Sequence, residues 1–285
     1  MRIVFFNLVL LFISVCVSGQ TDTVSIFINT GQHLLVDSST VPAKAFNSTS
    51  EFKLDGQLFR FTKGQDVILQ ITNTDTIGHT IEISEYGFSA FIDSGKSVNT
   101  PITFSSKGLF QMYSTTEYPN QKYLGLSGLI TVESNWDNSF YWNIKEFQSS
   151  YNLAVQNGDT IDFANYKPNY FLINGKSNPD IATDTLAKIR GKVGDTLTLH
   201  ILNSGNSVHS LHFHGYHFKI IASSRTSDVV GWIKDTYPVY AGERTILQMV
   251  PDKAGEYPVH DHNLVATTAN NYYPNGMFIT MIITE

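Results

Sequence analysis

The stretch Asp66-Val67-Ile68-Leu69-Gln70-Ile71-Thr72-Asn73-Thr74-Asp75 is a run of aliphatic and β-branched residues closed by a Thr, Asn and Asp cluster, the mark of a strand entering a turn. Similar short runs rich in Val, Ile, Thr, Tyr and Phe alternate with Gly, Asn, Asp and Ser along the whole chain. Helical periodicity is scarce, and its best candidate, residues 180–188, is a short turn. The pattern predicts an all-β sandwich or barrel.

The same run opens an internal repeat. Lys63-Gly64-Gln65-Asp66 leads through the strand to Asn73 and His79, and Gly194-Asp195 leads through Leu197 and Ile201 to Asn203 and His209, at a constant offset through Phe88 and Phe218. Further on, Gly108-Leu109-Phe110-Gln111-Met112-Tyr113 matches Gly255-Glu256-Tyr257-Pro258-Val259-His260, and Gly128-Leu129-Ile130-Thr131 parallels the segment from Gly276 to Thr280. Self-similarity of this kind marks two copies of one unit, so each half is expected to be one β-sandwich. The division falls at the short linker Ser134-Asn135-Trp136-Asp137-Asn138, giving units at 20–134 and 135–285. Domains joined so closely should share an interface, and Trp136, Tyr141 and Trp142 are read as its packing.

The second unit carries the chemistry. Val208-His209-Ser210-Leu211-His212-Phe213-His214-Gly215-Tyr216-His217 places four histidines in one short stretch, and His260-Asp261-His262 adds a second pair at one-residue spacing. In a strand alternate side chains share a face, so His212 and His214 project together, roughly 7 Å apart along the backbone, and His260 and His262 do the same. Imidazole is the commonest metal ligand, suited to copper and zinc alike. One such pair is weak evidence, since strand histidines often point to solvent; two pairs suggest a metal site. His217, an odd number of positions away, belongs on the opposite face if the strand stays regular. His33 reads as a surface-loop residue, and His79 as one held by packing or a hydrogen bond.

Residues 1–19 read as a secretory leader: Arg2 precedes an apolar run over 3–17 that is too short to span a bilayer, followed by Ser18-Gly19-Gln20 with cleavage expected after Gly19. Cleavage there would remove Cys16, the sole cysteine, leaving no disulfide and no thiolate ligand, and would place the protein outside the cytoplasm, secreted or periplasmic. The formal charge of −6 gives no basic patch and argues against nucleic acid as a partner. With the leader removed, no membrane insertion is expected.

The ordered set Tyr170-Phe171-Leu172-Ile173-Asn174-Gly175, Gly194-Asp195, His209-x-x-His212-x-His214-Gly215, His260-x-His262 and Gly276-Met277 resembles the last domain of a multicopper oxidase, and the duplicated first half resembles the other domain of the small two-domain, laccase-like members. The resemblance implies two tandem cupredoxin-like Greek-key β-sandwich domains. It implies His212 as a type 2 copper ligand and His214, His260 and His262 as type 3 ligands, with His214 and His260 on one metal. It also implies the homotrimer common among small members.

The chain departs from the pattern in both halves. Asp261 stands where the family has the type 1 cysteine and Ala266 where it has the second type 1 histidine, leaving only His209 and Met277 of that set. A blue copper site needs a soft thiolate beside two imidazoles, and it cannot form here. In the first half Glu82, Ser84, Tyr113 and Thr115 stand opposite the four site histidines, so the eight imidazoles of a trinuclear centre are not supplied. The reading is a secreted copper-binding protein with its metal site at His212, His214, His260 and His262, with His209 as a fifth candidate, and with at most altered oxidoreductase activity. Glu82 or Tyr113 of a facing domain is a candidate extra ligand. Zinc is a competitor for the same imidazoles, and a non-catalytic buffer or carrier is the alternative function.

Overall fold

The computed structural model describes residues 22–55 and 57–285, so the expected leader lies outside the described residues. The first nine strands are β1 (Asp22–Leu34), β2 (Thr40–Asn47), β3 (Leu58–Thr62), β4 (Gln65–Asn73), β5 (His79–Ile83), β6 (Phe88–Ile92), β7 (Ser97–Phe104), β8 (Gly108–Ser114) and β9 (Ser127–Glu133). They form two facing sheets, β2-β1-β4-β7 and β3-β9-β8-β5-β6. The next eleven are β10 (Ser139–Phe147), β11 (Tyr170–Ile173), β12 (Arg190–Lys192), β13 (Leu197–Asn203), β14 (His209–Phe213), β15 (Phe218–Ser223), β16 (Ile233–Lys234), β17 (Thr236–Val239), β18 (Arg244–Met249), β19 (Gly255–Asp261) and β20 (Phe278–Thr284). They form the sheets β11-β10-β13-β18-β15-β16 and β12-β20-β19-β14-β17.

The quoted repeat is a structural one. Parallel pairing of β1 with β4 and of β3 with β9 in the first sandwich recurs as β10 with β13 and β12 with β20 in the second. Even the turn chemistry is copied. Asn73 donates through Nδ2 to the carbonyls of Ile77 and Ile92, and Asn203 donates likewise to Ser207 and Val239. A buried amide that satisfies two strand-end carbonyls fixes the turn and costs nothing in unpaired polar groups. Each sandwich has its own apolar core, one around Ile28, Leu69, Ile81 and Met112, the other around Trp142, Ile201, Phe213 and Met281.

Where the halves meet, strands are buried on both faces. In β10 the alternation sends Phe140, Trp142 and Ile144 into the second core and sends Tyr141, Lys145 and Phe147 towards the first domain. Tyr141 is thus an interface residue, with Trp136 packed on it. Its ring meets the guanidinium of Arg60, 4.7 Å away, and the ring of His200, stacked at 4.9 Å. Beside Arg60 and out of water, His200 has its pKa lowered to about 4 by burial and then by that charge, and stays neutral. Trp142 corrects the sequence reading: one position along the strand, it points into the core and donates Nε1–H to the Ala187 carbonyl at 2.7 Å.

Two further expectations shift. His33 lies in β1, paired with Val41, and is half-buried rather than in a surface loop. Residues 180–188 do hold only a single 3-10 turn, at Asp180–Thr183, but an unforeseen α-helix, α2 (Ser149–Gln156), packs on β2; a shorter one, α1 (Asn120–Leu124), precedes it. The only fully buried residue of α2 is a polar one, Asn152, which donates to the Pro42 carbonyl and accepts from Tyr123 Oη. The helix's apolar contacts with the core are those of partly buried Tyr151 and Val155, too short a stripe for sequence periodicity to detect. No helix among the described residues is long and apolar enough to cross a membrane.

One contact between the halves is backbone on backbone. Gly175 has φ +74°, and a Cβ there would lie 1.3 Å from the Leu54 carbonyl oxygen of the first domain. Both the dihedral and the clearance demand glycine. Gly175→Ala is expected to lower unfolding stability by about 2–3 kcal/mol, measured by denaturant titration.

Candidate metal centre

The site lies on β14 and β19, which run antiparallel with His212 directly opposite His260. Leu211, Phe213 and Val259 alternate with these histidines and fill the core, which is why His212 and His260 face outwards. His214 follows the end of β14 and is exposed, and His262 follows the end of β19 and is exposed too. Gly215, at φ +79° and with no room for a Cβ against the Tyr257 ring, then turns the chain. That turn ends the regular strand, so the basis for placing His217 on the core face fails. Tyr216 takes the buried position and His217 is exposed.

The four paired histidines come together. Ring centroids are 4.7 Å apart for His212 and His214, 5.1 Å for His214 and His260, 5.2 Å for His212 and His262, and 5.7 Å for His212 and His260. Donor atoms meet at one place: Nε2 of His214 lies 3.0 Å from Nε2 of His260. Two nitrogens bound tetrahedrally to one ion at about 2.0–2.1 Å stand about 3.3 Å apart, so this pair is close to chelating distance. Among the described residues no set of three or more His, Cys, Asp or Glu side chains is closed around a single point. The four rings therefore make one bidentate pair with two flanking imidazoles.

Hydrogen bonds outside the cluster set which nitrogens face it. His260 Nδ1 lies 2.9 Å from its neighbour's carbonyl, at Asp261, and a carbonyl only accepts. Its Nδ1 therefore carries the proton and, in the neutral ring, Nε2 presents a lone pair to His214. His212 Nδ1 is held 2.7 Å from Thr236 Oγ1, which fixes its ring. Burial, followed by the charges of His212, His260 and His262, lowers the His214 pKa and favours the neutral ligand form. This donor set, neutral imidazoles and no thiolate, fits an ion such as Cu²⁺.

His209 stands apart from these four. It is fully buried on the inner face, with Nδ1 2.7 Å from Asp261 Oδ2 and Nε2 3.1 Å from Glu146 Oε2. Both ring nitrogens are occupied by carboxylates, so the structure removes His209 from the ligand set. Glu146 Oε1 also accepts from the backbone N–H groups of Asn206 and Ser207, and Asp261 Oδ1 from those of Ser210 and Asn263. Burial alone would lower the His209 pKa; the two carboxylates outweigh it and raise it to about 9, making it an imidazolium. Met277 and Ala266 are packed into the apolar core beside it. The type 1 position is thus filled by a buried charge triad, and the residues there do not fit copper.

The first domain repeats the arrangement without a second carboxylate. His79, fully buried, bonds through Nε2 to Asp75 at 2.7 Å and through Nδ1 to Ser114 at 3.3 Å, and Asp75 pairs with Lys44. Ser114 occupies the place that Asp261 has in the second domain. Glu82 and Tyr113 pair across β5 and β8, as His212 and His260 do across β14 and β19. Tyr113 Oη contacts Ser84 Oγ at 3.1 Å. Tyr113 opens on a cavity between the domains that contains none of the four histidines, so within one chain it does not join their site.

Glu146 is the functional residue that the sequence reading missed. Its signal was available: Lys145-Glu146 is a charged pair directly after the largely apolar run Phe140-Tyr141-Trp142-Asn143-Ile144, and an almost wholly buried carboxylate requires a partner.

Residues 151–285 match the sequence profile of the multicopper oxidases. No curated protein sequence matches the chain. Solved structures with the same fold include a blue copper oxidase from Nitrosomonas europaea, at 21% identity over 93% of this chain and 86% of that one with a TM-score of 0.75. The multicopper oxidase mgLAC aligns at 20% identity over 92% and 86%, with a TM-score of 0.75. A copper nitrite reductase from Nitrosomonas europaea aligns at 17% identity over 93% and 95%, with a TM-score of 0.72. At such identities the likeness establishes the cupredoxin-like fold, a pair of Greek-key sandwiches.

The charge triad predicts a signature in pH. The His209 pKa is raised by folding, so its stabilisation is complete below its ordinary value of 6.5 and is lost as pH rises through about 9. Denaturant titrations across this range should show stability falling with pH in the wild type. His209→Gln should be less stable at neutral pH and should lack that pH-dependent component.

Proposed function

The second half of this chain is a multicopper oxidase domain, which supports copper binding as its broad function, and from that premise we propose that His212, His214, His260 and His262 hold the copper through imidazole alone. The observation that carries this reading is the His214–His260 Nε2 pair at 3.0 Å, with two further imidazoles within ring contact. His214 and His260 would share one ion, displacing the proton that otherwise lies between their nitrogens. His212 and His262 would complete that site or hold a second ion. Bound copper would supply Lewis acidity and one-electron chemistry.

The chain's own residues restrict the redox chemistry open to that site. Asp261 is committed to His209 and the Ser210 and Asn263 amides, so no thiolate-bound relay stands behind the cluster to collect electrons from a reductant. Any oxidoreductase activity is therefore altered from that of the family. The exposure of His214 and His262 favours a second reading, a buffer or carrier that exchanges its ion with other molecules. Zinc competes for the same nitrogens. Export from the cytoplasm rests on the leader-like residues 1–19, and a homotrimer would set the exposed cluster against a second copy.

The test is metal content and spectrum on protein purified from its source. Copper should be present without the intense blue absorption of a copper–thiolate centre; that absorption would refute the assignment. His214→Ala with His260→Ala should abolish copper binding, whereas His209→Gln should retain it. Bound copper without oxygen uptake on common reductants favours the carrier, and oxygen uptake that falls with the double variant favours the altered oxidase.

A further inference from the structure

A cavity of about 420 Å³ lies between the two domains, with Tyr113, Tyr118, Lys122 and Glu85 on the first-domain side and Asn206 and Arg244 on the other. It opens on the first-domain counterpart of the histidine cluster, since Ser84, Tyr113 and Thr115 hold the repeat positions of His214, His260 and His262. Its electrostatics are unbalanced. Lys122 is only 6% exposed, and among the described residues its ammonium has no carboxylate within 4.0 Å; what it faces is the Tyr118 ring, 6.0 Å away. Lysine is almost never buried without a partner, because removing the charge from water costs several kcal/mol.

The groups around it deepen the imbalance. Lys145, in β10, is also buried and donates its Nζ–H to the Lys122 carbonyl at 3.3 Å, and burial, followed by the charge of Lys122, lowers its pKa to about 7. Glu146, the acidic group whose charge reaches both, is already bonded to His209 and to two backbone amides. Burial lowers the Lys122 pKa, with Glu146 partly opposing it. At the cavity wall Arg244 uses its Nη2 on Glu85, but its Nε is buried with no acceptor, and the Asn206 amide nitrogen is likewise buried and unpaired. Buried donors without acceptors are rare in folded proteins, and each one wants a partner.

We propose that this interdomain cavity is a binding site for a small oxyanion, a carboxylate or a tetrahedral inorganic anion, held by the Lys122 ammonium together with the Arg244 guanidinium. The ligand supplies negative charge to a wall where two cationic side chains, Lys122 and Arg244, face one carboxylate, Glu85, already paired with Arg244. Tyr113 and Tyr118, edge to face at 6.5 Å, also line the cavity and offer ring surface to the body of an organic acid. The site is independent of the histidine cluster and does not rest on copper.

Calorimetry at constant ionic strength, with chloride as the balancing salt, tests this using phosphate, sulfate, oxalate and benzoate as probes. At least one should bind and raise the melting temperature. Binding by phosphate or sulfate alone identifies a tetrahedral inorganic anion, and binding by oxalate or benzoate alone identifies an organic carboxylate. Lys122→Met should abolish binding while raising the melting temperature of the ligand-free protein, since it removes an unpaired buried charge. Arg244→Gln should weaken binding about tenfold, the loss expected for one hydrogen bond to a charged group. If Lys122→Met does not fold, reductive methylation of the wild type with mass spectrometry decides: the bound probe should protect Lys122 and leave the exposed Lys219 reactive. Absence of binding by all four probes, equal binding to wild type and Lys122→Met, or no protection of Lys122 overturns the proposal.

Discussion

The second domain turns on one buried interaction, the His209 imidazolium held between Glu146 and Asp261. Glu146 comes from one sheet of the sandwich, and His209 and Asp261 from the other, so the triad ties the two layers together through the core. Three charged groups in an apolar interior are tolerated only when every hydrogen-bonding direction is answered. Here each carboxylate accepts from two backbone amides as well as from His209. The dependence runs outwards from there. Asp261 sits between His260 and His262, so the bond that satisfies His209 also fixes the strand end from which both of those imidazoles project. The buried network thereby sets the geometry of the exposed histidine cluster.

The two halves show how one architecture takes different chemistry at equivalent positions. Both keep the amide-bridged turn at Asn73 and Asn203, and both bury a histidine beside it. In the first domain that histidine is paired with Asp75, itself neutralised by Lys44; in the second it is paired with two carboxylates. The outward faces diverge further. Four imidazoles gather on the second domain, while Glu82, Ser84, Tyr113 and Thr115 on the first cannot chelate in the same way, and Tyr113 instead borders a cavity that Lys122 and Arg244 also line. Backbone geometry is set by the alternation and the turns, so it survives replacement of the outward side chains. The capacity to chelate resides in those side chains and does not.

Much of this was legible in the amino-acid order. The alternation of Val67, Leu69 and Ile71 with polar neighbours determined strands with one buried face, and the recurrence of Gly64-to-Phe88 spacing at Gly194-to-Phe218 determined two sandwiches. The His-x-His spacing determined that His212 would share a face with His214, because the strand period is two. The absence of cysteine from the site excluded a copper–thiolate centre. Each is a local property, fixed by a period, a spacing or a residue type.

Tertiary structure decided the rest, because it depends on contacts that close between residues far apart in the chain. The parity that put His217 on the inner face failed at Gly215, where a left-handed turn reset it. His209 looked like a ligand until Glu146, distant in sequence, was seen to take its second nitrogen. Trp142 and Tyr141, adjacent in the chain, were assigned to core and interface only when the second domain met the first. Lys122 shows the same limit: a lysine reads as solvated in any sequence, and only the docking of two domains over it takes most of its side chain out of water.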